Sequence, residues 1–331
     1  MRLVTSGRIL ALGGVLLAVA FALYILPSNE YIFLPDKAHA VAPLVTVQGG
    51  HDPLQGGIYF VDVVVRKATI LEKLFGGLHK GADLVPANAV NPPGVGDQQR
   101  RRIDLQDMQH SQAVAAAVAL RAAGKHVVLR TIGALIDAVA PGMPAVGKLE
   151  PSDVIVSIDG KTVRDPHDVF VAMAARKIGQ FVSIAVRRGK QTLVEQLHTV
   201  SSGDKPLHPV VGIAVESAVD IQLPLRVSID AGDVGGPSAG LAFALDVLEE
   251  LGPDILHGHK VAATGEIEPD GTVLPIGGIK QKTIGAREAG VDAFLVPAGD
   301  NARDARKQAG GLRIIPVENF SQALRALATL R

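Results

Sequence analysis

From Gly235 the sequence reads GGPSAG, and from Gly277 it reads GGIKQKT. A serine behind a glycine–proline turn and ahead of an apolar helix has two uses. It can cap the helix. It can also act as a nucleophile where free backbone N–H groups and the positive end of the helix dipole converge to hold an oxyanion. Pro237 suits a first helical turn because its missing N–H would be unpaired there anyway. Gly235 and Gly236 let the backbone approach a ligand closely. The motif alone leaves both uses of Ser238 open, and a nucleophile needs a base. His257 and His259 alternate, but no partner follows at metal-ligand spacing, so they read as loop residues. His110 and Ser111 carry nothing beyond their presence to support a catalytic use. The second segment offers an amine instead. Lys280 and Lys282 stand about 200° apart around a helix, so only one can face inward. Lys280 has Ile276, Ile279 and Ile284 near it in sequence, consistent with an apolar pocket. A free lysine titrates near about 10.4 and a useful base near about 7 to 8; desolvation can supply that gap, about 4 kcal/mol. A lysine without a partner serine is more often a solvated surface charge.

The elements that must position these groups follow from hydrophobic patterning. From about Pro206 to Arg331, strand-like runs (VVGIAVES, LPLRVSID, HKVAATGEI, AFLVP, LRIIPV) alternate with helical ones, which predicts an α/β or α+β domain. Between Lys125 and Val200 the texture is β-rich: VIVSIDGKTV reads as strand, tight Asp159–Gly160 turn and strand, and DPHDVFVAMAARK as a helix capped by Asp165 with Pro166 in its first turn. Ahead of these, PLVTVQGG and GGIYFVDVVVRKATILEKLFGGL suggest two strands and a helix. LVPANAVNPPGVGDQQRRR reads as a solvated loop, and an alanine-rich helix begins at Asp104 and closes at Gly124.

The N-terminus carries an uncharged run from Ile9 to Leu26, preceded by Arg2 and Arg8 and followed by Glu30. Eighteen residues at about 1.5 Å each approach the thickness of a bilayer core, and the arginines place the N-terminus in the cytoplasm. A cleaved signal peptide competes, since Ala38–Ala40 reads AHA, but that site lies far beyond the apolar run. The preferred reading is a retained single-pass anchor in the cell membrane, a partner for the lipid bilayer through residues 9–26, with everything after Pro27 extracytoplasmic. Across 331 residues the basic and acidic side chains balance at 33 each and aromatics make up 4%, which argues against nucleic acid as a partner. Cysteine is absent, which excludes disulfides, thiol catalysis and cysteine–metal sites. No metal and no cofactor are expected.

Residues 125–200 resemble a PDZ domain of the bacterial protease-associated kind, through APGMPAVGKLEPSDVIVSIDGKTV. Such a domain binds an extended peptide at a sheet edge. Ile132, Gly133 and Ala134 are candidates for its carboxylate-holding loop, although hairpin core explains them as well. GGPSAG, ATGEIEPDGTVLPIGGIKQKT and AGVDAFLVPAGDN, in that order, resemble the proteolytic domain of Lon proteases. That resemblance implies Ser238 as nucleophile, Lys280 as general base and Thr264 as an orienting group, with Gly236 in support. Many Lon enzymes carry aspartate where this chain has Gly235. The resemblance also implies polypeptide substrates, and Lon-type domains often assemble into rings, so a homo-oligomer is open. No G-x-x-x-x-G-K-[ST] phosphate loop occurs in the chain, so proteolysis is expected to be independent of ATP. The expected layout is multi-domain α/β (α+β): residues 1–8 cytoplasmic, a transmembrane helix over 9–26, membrane-proximal strands, loop and helix over 27–124, a β-rich PDZ-like domain over 125–200, and a C-terminal Lon-type α/β proteolytic domain over 206–331. The alternative is a non-catalytic, membrane-anchored PDZ scaffold with an inert Lon-like fold.

Overall fold

The structure, a computed structural model, describes residues 6–51, 55–76, 78–91, 96–203, 205–252 and 254–330, with side chains from residue 12 onward. Residues 1–5 of the expected cytoplasmic N-terminus lie outside these. The apolar N-terminal run forms a helix, α1 (Ser6–Ile25). Among the described residues no helix is long and apolar enough to cross a membrane. The expected transmembrane span is therefore not supported.

Strand β1 (Pro27–Ala40) and strand β2 (Gly57–Thr69) follow, then the short helix α2 (Ile70–Leu74) and strand β3 (Asp83–Pro86). Helix α3 (Asp97–Ala122) begins seven residues before the expected Asp104. The charged DQQRRR segment belongs to the helix, where Arg100 meets Asp104 one turn on at 3.3 Å.

A five-strand path then builds the β-rich domain: β4 (Val128–Val139), β5 (Val154–Ile158), β6 (Phe181–Arg188), β7 (Gln191–His198) and β8 (Ile213–Gln222), in spatial order β8-β4-β5-β6-β7. Helix α4 (Pro166–Ala174) covers it, with the Asp165 side chain accepting from the Asp168 N–H as its cap. Ile136, Ile155, Ile158, Ile184 and Val186 close this core. Strand β8 lies beyond the expected boundary at 200, so the domain borrows an edge strand from the segment assigned to its neighbour.

The remaining elements are helix α5 (Gly240–Glu250), strand β9 (Lys260–Ala263), helix α6 (Ile279–Glu288), strand β10 (Ala293–Pro297), helix α7 (Asp300–Gln308), strand β11 (Arg313–Val317) and helix α8 (Phe320–Leu327). Their strands do not form a sheet of their own. The order is β11-β10-β9-β2-β1-β3, parallel from β11 to β2 and antiparallel from there to β3. The segment 27–124 is thus half of the C-terminal domain rather than a separate membrane-proximal unit.

Alternation across this sheet creates two cores. Ile58, Phe60, Val261, Ala263 and Leu295 face α3 and α5. Val61, Ala262, Phe294 and Val296 face α6 and α7. Helices α5 and α6 therefore lie on opposite faces, and the groups they carry meet at the C-terminal end of β9.

Candidate active site

The nucleophile candidate sits in a bend rather than in a helix cap. Gly236 has φ of 85°, a region that favours glycine, and Pro237–Ala239 make a single 3-10 turn before α5 begins. No side chain caps either helix. The turn is held from three sides. Ser111 Oγ donates to the Pro237 carbonyl at 2.9 Å, Thr264 Oγ1 donates to the Ser238 carbonyl at 3.1 Å, and the Gly265 N–H donates to that same carbonyl at 2.9 Å. Ser111, for which the sequence offered no role, is thus a buried support of the turn. The Gly236 N–H donates to the Asp104 carbonyl, so its contribution here is conformation and a brace from α3. Position 235 has no room for a side chain, because a Cβ there would lie 2.8 Å from Asp104 Cβ. Asp233, with a fully exposed side chain, pairs with Arg101 at 3.3 Å, and both residues line the cleft beside Ser238.

The amine that reaches Ser238 is Lys282, not Lys280. Lys282 Nζ lies 3.0 Å from Ser238 Oγ and donates to the Val61 carbonyl of β2. Lys280 projects from the other side of α6, with its side chain 35% exposed, and pairs with Asp83 Oδ1 at 2.7 Å and the Ala82 carbonyl at 3.3 Å. The reason is backbone packing. Gly278 and Gly285 stand four before and three after Lys282, so all three share one helical face. A Cβ on Gly285 would come within 2.0 Å of the Asp36 carbonyl, and one on Gly278 within 2.7 Å of Val63 Cγ2. Bare glycines let this face press against β1 and β2, and the lysine between them goes inward. This glycine–lysine–glycine spacing is the signal that distinguishes the two lysines.

Lys282 is 4% exposed. Burial lowers its pKa from 10.5 to about 8, with the negative charge of Asp62 opposing the shift. Asp62 is itself pushed up, first by burial and then by Asp36, against the pull of His39 and Lys282. Thr264, fully buried, receives its place from β10: its N–H donates to the Leu295 carbonyl at 3.0 Å.

Ser238 and Lys282 open into a cleft of about 890 Å³ that also includes Phe33, Val63, Val65 and Glu266. Glu266 is raised to about 7 by burial, reinforced by Glu268, Asp107, Glu216 and Asp137. For a metal, Asp36, His39 and Asp62 bring ligand atoms within 4.8 Å of one another, with His39 Nε2 3.8 Å from Asp36 and 3.6 Å from Asp62. His257 and His259 lie outside the cleft, His259 against Asp292.

Ile132, Gly133 and Ala134 do not form a loop. They lie within β4, where Gly133 pairs with Ala218 and Ala134 with both Ser217 and Ile155. Both sides of the strand are paired at Ala134, while Ile132 lines a neighbouring cavity of about 770 Å³. The edge strands of this sheet are β8 and β7.

Comparison with known proteins finds the same two domains with shifted borders: the Lon match takes in β8, and the PDZ match takes in most of α3. Residues 213–329 match the family model described as Lon protease (S16) C-terminal proteolytic domain, and residues 105–198 match the PDZ domain model. Lon protease 2 of Thermus thermophilus is 32% identical over 127 residues, covering 35% of this chain and 16% of its own length. Lon protease 1 of Myxococcus xanthus is 41% identical over 102 residues, covering 29% of this chain and 12% of its own. The mitochondrial Lon protease homologue of Rattus norvegicus is 37% identical over 118 residues, covering 34% and 12%. The chain thus spans a small part of the relatives it matches. With the serine turn, the buried lysine and the two cores in place, the chain contains a Lon protease C-terminal proteolytic domain and a PDZ domain.

Proposed function

We propose that this chain is a serine endopeptidase that uses Ser238 as nucleophile and Lys282 as general base, acts without ATP, and receives polypeptides through its PDZ domain. The observation that carries the reading is the 3.0 Å approach of a buried amine to a serine hydroxyl inside an open cleft. The neutral Lys282 amine takes the Ser238 proton as Oγ bonds to a peptide carbonyl carbon. The resulting ammonium returns that proton to the leaving nitrogen as the C–N bond breaks. Water then attacks the ester, gives its proton to Lys282, and releases the acid with the serine restored. Backbone N–H groups of the Ser238 turn are suited to the oxyanion. Thr264 acts one step back, by fixing the carbonyl of the nucleophile's own residue.

Because Lys282 must be neutral, the rate should rise with pH through about 8. ATP independence is supported by the lack of a phosphate loop in the 331 residues. For the PDZ domain, a peptide strand is proposed to add along the outer edge of β8. We also propose that residues 9–26 hold the chain in a cell membrane, with the N-terminus cytoplasmic and the folded domains outside. The support is the uncharged run and the exposure of Leu12, Leu16, Leu17 and Phe21. The test of the enzymatic reading is casein cleavage by the purified chain and by Ser238→Ala. Cleavage that disappears in the variant supports it; cleavage that persists rules Ser238 out as nucleophile.

A further inference from the structure

Helix α1 leaves Leu12, Val15, Leu16, Leu17, Val19 and Phe21 exposed. Leu12 and Phe21 stand about 180° apart around the axis, so over the described side chains, residues 12–25, the helix turns apolar groups to opposite sides. A groove on a protein partner covers one side of a helix; a bilayer covers all of them. Beside the end of this helix is a second apolar patch. Leu74 and Phe75, at the end of α2, and Leu78 just after it are all more than half exposed.

This patch is held firmly and at a fixed level. The Ile70 N–H donates to the Leu26 carbonyl at 3.0 Å, tying the first turn of α2 to the end of the apolar run. Thr69 and Glu72 cap α2 reciprocally. The Glu72 carboxylate, itself buried, also binds Arg66 at 2.6 Å and His79 at 2.7 Å, so residues on both sides of the patch share one anchor. Arg66 foremost holds that carboxyl down at about 2. Tyr24 is exposed at the same end of α1, where an aromatic ring suits the headgroup layer.

We propose that Leu74, Phe75 and Leu78 are a second bilayer contact, inserted into the interfacial layer beside the end of α1. The proposal rests on the reading that α1 is held in a membrane. It implies that the folded domains are fixed in orientation against the lipid surface rather than tethered loosely to it.

The chain has no tryptophan, so a single introduced indole reports on one position. Full-length Leu17→Trp, Phe75→Trp, Leu78→Trp and Phe170→Trp chains are reconstituted into phosphatidylcholine vesicles with brominated acyl chains. Emission from positions 17, 75 and 78 is expected to fall about twofold or more, while position 170, exposed on α4 of the PDZ domain, is unchanged. Quenching at 17 without quenching at 75 and 78 overturns the second contact and leaves the anchor standing. No quenching at any position overturns both. Emission at 75 that shifts with protein concentration and ignores bromine assigns the patch to a second copy of the chain and overturns the proposal.

Discussion

The two faces of α6 carry the same side chain into opposite surroundings. On the outer face Lys280 is one-third exposed and held by Asp83. On the inner face Lys282 is 4% exposed and meets Ser238. Two residues of separation decide whether an amine is a surface charge or a candidate base. What sets the choice is the pair of glycines flanking Lys282 on its face, which allow the helix to close on β1 and β2. Reactivity is here a result of backbone approach, and the acidity of the amine follows from that approach.

The comparison is broken most severely at Lys282 itself. Lys282→Met should lower kcat/KM by about ten-thousand-fold, since the serine then has no base. The same change should stabilise the fold at pH 7. A lysine whose pKa falls to about 8 on folding binds fewer protons folded than unfolded between pH 8 and 10.5. Its burial therefore costs stability below pH 8, about 3 kcal/mol, and the cost fades as pH rises through that window. Unfolding of the variant and parent at pH 7 and pH 10.5 checks this: the variant's advantage should shrink at the higher pH.

Gly285→Ala attacks the packing rather than the amine. A Cβ 2.0 Å from the Asp36 carbonyl must push α6 outward, with an expected loss of about 3 kcal/mol in stability. Activity should drop by about a hundredfold as Lys282 withdraws from the serine. Denaturant melts and kinetics on the same preparation separate the two effects. Thr264→Val removes one of two donors to the Ser238 carbonyl, since the Gly265 N–H remains. About tenfold in kcat with KM little changed, and about 1 kcal/mol of stability, are expected. Lys280→Met should do least: its pairing with Asp83 lies in solvent, so stability should move by less than about 1 kcal/mol and activity by less than about twofold.

The same contrast explains what was legible in the sequence. GGPSAG marked Ser238, because a tight turn before an apolar helix leaves a local trace. The paired lysines were visible too, but flanking isoleucines were a poor guide to orientation. Ile279 and Ile284 are both buried, yet the face that enters the site is the one with Gly278 and Gly285, where backbone rather than side chain makes the contact. The cap of α4 at Asp165 was readable for the same local reason as the serine turn.

Long-range pairing was not readable. The contact of β2 with β9 joins residues 57–60 to 260–263 in parallel, and no local pattern encodes which distant strand is the neighbour. For the same reason β8, whose alternation looks like any half-buried strand, gave no sign that it completes the PDZ sheet. The candidate carboxylate loop at Ile132–Ala134 is strand rather than loop, because its pairing depends on neighbours that only the fold supplies.

The central claim is that Lys282 is the amine whose charge is suppressed by burial against Ser238. Its titration, followed by NMR at the Cε of isotopically labelled lysine and assigned by loss of the signal in Lys282→Met, tests this directly. A midpoint of about 8 is the expected result, and a midpoint at the ordinary 10.5 would contradict the account.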